Sequence, residues 1–297
     1  MIKFTGIIAE YNPFHNGHKH QIEHLRSLGT GVIAVAMSGD FVQRGAPAWT
    51  DKYTRTQMAL SQGADLVFEL PTVYTLSSAE HFAFGGISLL NALHMDSVCF
   101  GCETPSLLDS AAELLQKEPD DYRQTLQQHL KSGASYPAAR EAALRQSMPE
   151  LPPDFLSGAN NILALEYLKA LRSTHSTMTP VPILRTDSGY HSTELSGETF
   201  SSASAIRFSY KDTDSLNDIS HALPEEIMTL LKKRSGHLGM DTTDFDALIY
   251  YALRRAVQKG TLTHYGDIHE ELANRIIKSL ADYQTADTFI LSLKRKN

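Results

Sequence analysis

Gly6-Ile7-Ile8-Ala9-Glu10-Tyr11-Asn12-Pro13-Phe14-His15-Asn16-Gly17-His18 decides how the chain begins. Its first part closes an apolar run, Lys3–Ala9, that predicts a strand. Pro13 biases Asn12 away from helix, so a turn falls there. From His15 to Leu28 the pattern becomes helical. The same alternation then repeats. Strands are expected at Val32–Met37, Asp65–Leu70 and Asp96–Phe100. Helices are expected at Asp51–Gln62, with Tyr53, Met58 and Leu60 as its apolar positions, and at Ser77–Leu93. Strands separated by helices imply an α/β fold, a parallel sheet with helices on both faces.

Further along, residues 105–150 read as helical and charge-rich. Leu163–Leu171 is an apolar amphipathic helix, and Val181–Arg185 is one more strand. From Pro224 onward only helical periodicity is present: Glu225–Lys233, Asp246–Gln258, Glu270–Asp282 and Thr285–Leu293. This change of pattern predicts an α/β domain over 1–212 and a helical C-terminal region over 213–297. Ligands of open parallel sheets bind beyond the carboxyl ends of strands. The loops to inspect are therefore 9–18, 38–50, 71–80, 101–105 and 185–192.

Composition narrows the classes. The chain has 297 residues, 42% hydrophobic and 21% charged, as an ordinary globular protein does. Its apolar runs fall short of the roughly 18 residues a membrane helix needs. No basic segment followed by an apolar core opens the chain, so a signal peptide is not expected. A formal net charge of −7 argues against a general nucleic-acid coat but leaves room for a local basic face. The two cysteines, Cys99 and Cys102, exclude a disulfide framework and suggest a reducing cytoplasm. Their Cys-x-x-Cys spacing reads as a core thiol in a strand plus a neighbour in the loop, since one pair is half a structural zinc site.

The chemistry concentrates in the first loop. His15 and His18 are three apart, on one face of a helix's first turn. Free amides and the macrodipole favour an anion there. Gly17 lets a ligand approach the backbone, and Lys19 and His20 add positive charge. Two imidazoles and free amides aimed at one point suit phosphate oxygens. On these residues alone, two other readings stay open: surface histidines on an ordinary helix, and metal ligation with an unseen third ligand.

His15-Asn16-Gly17-His18 after a first strand resembles the signature of the HIGH-motif nucleotidyltransferase superfamily, whose fold is a Rossmann-like parallel sheet. It includes cytidylyltransferases, pantetheine-phosphate adenylyltransferase and class I aminoacyl-tRNA synthetases. Ser201-Ser202-Ala203-Ser204-Ala205-Ile206-Arg207 resembles its second motif, which closes on the β- and γ-phosphates. The string from Gly6 to His18, Met37-Ser38-Gly39-Asp40-Phe41-Val42-Gln43-Arg44-Gly45-Ala46-Pro47-Ala48, and Gly63-Ala64-Asp65-Leu66-Val67-Phe68-Glu69-Leu70-Pro71 are similar to the bacterial tRNA(Met) cytidine acetate ligase family. So are Asn160-Asn161-Ile162-Leu163 and Gly189-Tyr190-His191. The chain departs from that family at Cys102, where serine is usual, and at Ala205, where threonine is usual. Family members also run on past this helical tail, so the chain reads as a short lineage or a truncated form.

The resemblance implies a two-step reaction. ATP and acetate form acetyl-adenylate, and the acetyl group passes to the wobble cytidine of elongator tRNA(Met). It implies His15, His18 and Arg207 as catalytic residues. It places ATP on Ile7, Ile8, Ala9, Glu10, Tyr11, Asn12, Pro13, Phe14, His15, Asn16, Gly17, His18, Lys19 and His20, and on Gly101, Asn160 or Asn161, Arg185, Ser202 and Ser204. Magnesium would be carried with ATP, as no acidic metal motif is visible. Ser38, Gly39, Gln43 and Arg44 form a candidate substrate loop for acetate or RNA. Basic spots at Lys232-Lys233-Arg234, Arg254-Arg255 and Lys294-Arg295-Lys296 are candidates for tRNA. No membrane association and no protein partner are expected. Two competing expectations are a nucleotidyltransferase acting on a small phosphorylated metabolite, and a non-catalytic tRNA-binding module.

Overall fold

The computed structural model describes residues 3–153, 155–156, 158–185, 201–234, 238–266 and 268–294. The Gly189-Tyr190-His191 string, and Arg295 and Lys296 of the last basic spot, lie outside them.

The five expected strands form one parallel sheet: β1 (Lys3–Ala9), β2 (Thr30–Ser38), β3 (Leu66–Leu70), β4 (Ser97–Cys102) and β5 (Thr179–Leu184). Their order is β3-β2-β1-β4-β5. Ile7 of β1 registers with Val35 of β2 and Cys99 of β4. The chain's direction of winding reverses between β1 and β4, which opens a crevice at their carboxyl ends.

The helices are α1 (Asn16–Ser27), α2 (Lys52–Ser61), α3 (Thr72–Thr75), α4 (Ala79–Ala92), α5 (Pro105–Lys117), α6 (Asp120–Lys131), α7 (Tyr136–Ser147), α8 (Ala159–Ser173), α9 (Ala203–Thr213), α10 (Glu225–Lys233), α11 (Asp246–Lys259), α12 (Glu270–Ser279) and α13 (Ala286–Leu293). Two cores sandwich the sheet, because successive strand residues face opposite sides. Ile8, Ala34, Ala36, Val98 and Phe100 face one core, with Ile87 and Leu90 of α4 and Ala164 and Leu165 of α8. Ile7, Ile33, Val35, Met37 and Cys99 face the other, with Ile22 and Leu25 of α1, Met58 of α2 and Ile206 of α9. Each fully buried aliphatic side chain contributes about 1.5–3 kcal/mol. Helix α4 lies hard against β1: a Cβ on Gly86 would sit 2.6 Å from Ile8 Cδ1.

The expected helix Ser77–Leu93 is α4, capped by Ser78, whose side chain accepts the His81 N–H. Three expectations are corrected. Helix α2 buries Thr54, Arg55, Met58 and Ala59, whereas Tyr53 and Leu60 are exposed. Cys102 ends β4 rather than starting a loop, and both thiols are buried. The chain divides into compact units at Met1–Gly239 and Met240–Asn297, not at 212/213. The reason is α10: Ile227, Met228 and Leu231 bury their side chains in the second sheet core.

The second unit has its own small core of Ala256, Leu262, Ala273, Ile276, Leu280 and Phe289. Asp246 ties its helices together, accepting the Ala286 N–H at 2.7 Å. Among the described residues no helix is long and apolar enough to cross a membrane.

Candidate active site

The turn after β1 is built from buried parts. Tyr11 adopts a left-handed φ of 48°, uncommon for a residue with a Cβ. Asn12 spends its side chain on the scaffold, its Oδ1 accepting the Trp49 N–H at 2.6 Å. Tyr11, Pro13 and Phe14 are buried. These fix where α1 begins and therefore where its histidines stand.

His15 is the N-cap of α1 and is 3% exposed. Its Nδ1 accepts the Gly17 N–H at 3.1 Å, and His18 Nδ1 accepts the His15 N–H at 3.2 Å. This is a capping box in which imidazoles replace the usual hydroxyl and carboxylate. A ring whose Nδ1 accepts carries its proton on Nε2 when neutral. The box therefore sets the tautomer of both rings. The rings stack with centroids 3.7 Å apart. Burial first, then the neighbouring His15 and Arg185, hold the His18 pKa well below the usual histidine value. His18 is thus a neutral donor at neutral pH, placed at the positive end of a helix.

A second group gathers at the ends of β4 and β5. Arg185 follows β5 and donates from Nη1 to Asn160 Oδ1 at 3.0 Å. Gly101 makes room for it: a Cβ there would lie 3.0 Å from Arg185 Cγ and Cδ. Asn160 and Asn161 open α8 and separate in role. Asn161 is 1% exposed, and its Oδ1 accepts the Glu103 and Thr104 N–H groups at 2.9 and 3.2 Å. Its amide nitrogen donates to Phe155 O at 3.1 Å. Asn161 is consumed in shaping the loop, whereas Asn160 stands beside Arg185.

Helix α9 brings the second motif to the first. Ser202 caps it, accepting the Ala205 N–H at 3.1 Å. Arg207 Nη1 donates to Asn12 O at 2.6 Å, across 195 residues, and Nη2 to Ser204 Oγ at 3.2 Å. The guanidinium lies against the turn that carries the histidines. Ser201 Oγ is buried, with no hydrogen-bond partner among the described residues.

The loop after β2 packs on the same turn. Glu10 accepts the Gln43 N–H at 2.8 Å. Burial raises its pKa above the usual carboxylate value, opposed by that bond and by the charges of Arg207, Arg44 and Arg55. Arg44 itself is exposed, and Ser38 and Gly39 are buried. Beneath them Arg55, fully buried, donates to the carbonyls of Glu10, Ser38, Gly39 and Thr50. Burial pushes its pKa down to about 10.

Of the residues predicted from sequence, His15, His18 and Arg207 converge on one turn, and Gly101, Asn160 and Arg185 form a second group whose arginine acts on His18. Ile7 and Ile8 point their side chains into opposite cores. Asn16 donates to His221 O at 2.9 Å. His20 is exposed with its ring beside His24, and the Lys19 charge acts on Glu226. Two residues escaped the sequence reading, Glu103 and Arg55. Glu103 falls inside a flagged loop; Arg55 left no signal.

The matching family model is described as HIGH Nucleotidyl Transferase and spans residues 2–297. A Clostridium kluyveri protein named tRNA(Met) cytidine acetate ligase is 42% identical over 308 residues, covering 99% of this chain and 75% of its own. A namesake from a Thermoanaerobacter species is 43% identical over 288 residues, covering 94% and 70%. The chain belongs to the tRNA(Met) cytidine acetate ligase family. A crystal structure of Thermotoga maritima TmcAL without ligand superposes with a TM-score of 0.88 at 30% identity, over 99% of this chain and 72% of that one. Another, bound with alpha-thio ATP, superposes with a TM-score of 0.84, over 99% and 71%. Both departures from the ligase family's usual residues are buried. Cys102 packs in the first core and Ala205 is 1% exposed.

Proposed function

We propose that this chain activates acetate with ATP and transfers the acetyl group to the wobble cytidine of elongator tRNA(Met), in the cytoplasm. The observation that carries this reading is the pairing of the two motifs. Arg207 reaches the turn of His15 and His18 in a chain related over nearly its full length to ligases of that name.

In the first step an acetate oxygen attacks the α-phosphorus and the bond to the β-phosphate oxygen breaks. Pyrophosphate leaves with the electron pair. Both reactants are anionic, so the site must offset repulsion and hold the attack in line. His15 and His18 supply Nε2–H donors to the α-phosphate as its charge grows. Arg207 serves the outer phosphates, which its planar fork fits. Arg185 and Asn160 bind the nucleotide from the β4–β5 side, and Asn161 holds the loop that presents Gly101. Residues 7–14, whose side chains are largely core or scaffold, meet ATP through the main chain. Magnesium would travel with ATP and offset phosphate charge, its remaining positions filled by water. Among the described residues no group of three or more His, Cys, Asp or Glu side chains gathers as a metal site.

In the second step the cytidine amine attacks the acetyl carbonyl carbon, AMP departs with the bonding pair, and the amine loses a proton. The exposed face of α11 is the proposed RNA contact. There Arg254 lies over Tyr250 and Arg255 over Tyr251, at 5.9 and 5.7 Å. Arginine for phosphates beside aromatic rings for stacking is the chemistry single-stranded RNA asks for.

The test is mass spectrometry of the tRNA(Met) wobble cytidine after incubation with ATP and acetate, beside acetate-dependent exchange of pyrophosphate into ATP. Acetylation with exchange supports both steps. Exchange that ignores acetate overturns the acetyl-adenylate.

A further inference from the structure

The loop after β4 carries a carboxylate that the two motifs do not employ. Glu103 Oε1 accepts from Asn160 Nδ2 at 2.7 Å, and Oε2 accepts the Asn161 N–H at 2.8 Å. Asn160 Oδ1 in turn accepts from Arg185 Nη1 at 3.0 Å. A carboxylate only accepts and a guanidinium only donates. An amide held between them has one orientation, its NH2 toward Glu103 and its carbonyl toward Arg185. Without the acceptor the amide is free to turn over, and its NH2 would then confront the donors of Arg185. The carboxylate is itself closely seated: a Cβ on Gly158 would lie 2.9 Å from its Oε2.

We propose that Glu103 is a positioning residue for the nucleotide. It orients the Asn160 amide and, through it, the Arg185 guanidinium beside His18. This rests on the reading of the site as an ATP clamp. A competing role is plain: through the Asn161 N–H, Glu103 also satisfies the first turn of α8. A helix cap would lower stability alone. A positioning residue weakens ATP binding through Asn160.

Calorimetric titration of the full chain with ATP separates the two, using E103Q, N160A and the double variant. E103Q keeps the length of the side chain but exchanges one acceptor for a donor. Binding is expected to weaken about ten-fold, whereas E103D, still acceptor-only, recovers part of that loss. In the N160A background E103Q should add no further loss, because the route runs through Asn160. A folded E103Q that binds ATP like the unaltered chain overturns the proposal. So does a loss that is equally large without Asn160. Should E103Q not fold, the same cycle is run with E103D, where additive losses overturn the proposal and coupled losses uphold it. If the unaltered chain binds no ATP, the clamp itself fails, which is a separate result.

Discussion

At the scale of single residues, the two histidines are proposed to do two jobs, one with each ring nitrogen. The Nδ1 atoms finish the helix cap, and this leaves Nε2 as the proton-bearing nitrogen. Protonation of His18 would cost it the acceptor role in the cap, and burial disfavours it further. The sign follows. The native pKa lies below the unfolded value of about 6.5, so the unfolded chain takes up a proton first as pH falls. Stability is full above that value and drains away on acidification below it. H18N, which keeps an acceptor near the cap, should lose less melting temperature than the unaltered chain between pH 7.5 and 5.5. Equal losses would show that His18 does not titrate this way. The same variant should slow acetyl-adenylate formation by about 10²–10³, the usual effect of losing one donor to developing charge. The spacing of His15 and His18 is legible in sequence because a helical turn puts them on one face. Glu103 was not, because a lone glutamate after a strand has no pattern; its partners come from 57 and 58 positions away. Nor could the sequence separate Asn160 from Asn161, which differ only in the direction each leaves the helix.

At the scale of elements, strand ends and helix starts around the proposed clamp are tied by side chains to backbone. Helix α2 contributes no ligand, yet its Arg55 joins the ends of β1 and β2 by donating to four carbonyls. R55M fills much of the same volume and leaves those carbonyls unpaired in the interior. Urea titration should show a loss of about 3 kcal/mol or more, and a change under 1 kcal/mol would show that water replaces the guanidinium readily. At α9 the claim is smaller. S202A removes the cap and should cost about 1 kcal/mol, read in the same titration, with weaker ATP binding because α9 carries Arg207. Unchanged binding would mean that the Asn12 contact alone holds the arginine. The strands were readable at this scale, since a short apolar run between turn residues has little else to form. The inner face of α2 was not. Helical periodicity assigns burial to apolar residues, and here it put Tyr53 and Leu60 where an arginine and threonine sit.

At the scale of the whole molecule, the two compact units carry different groups. The first carries every residue of the proposed clamp, while the second carries the exposed arginine–tyrosine pairs. The division was legible as a change from alternating to helical pattern but not at its true position. The amphipathic face of α10 says that it buries something, and only the structure says that it buries against the sheet core. If the second unit holds RNA, charge there must act on transfer and leave activation alone. R254A/R255A should therefore keep acetate-dependent pyrophosphate exchange at its unaltered rate and acetylate tRNA(Met) poorly. Two lost phosphate contacts should flatten the plot of log affinity for tRNA against log salt by roughly 1.4–1.8. The net charge of −7 makes that slope informative, because general attraction of the chain for RNA is weak and leaves local contacts to set it. Weak exchange together with weak acetylation would mean that the substitutions damage the fold. An unchanged slope with full acetylation would move the RNA contact elsewhere, with the Lys232-Lys233-Arg234 run at the end of α10 as the next surface to alter.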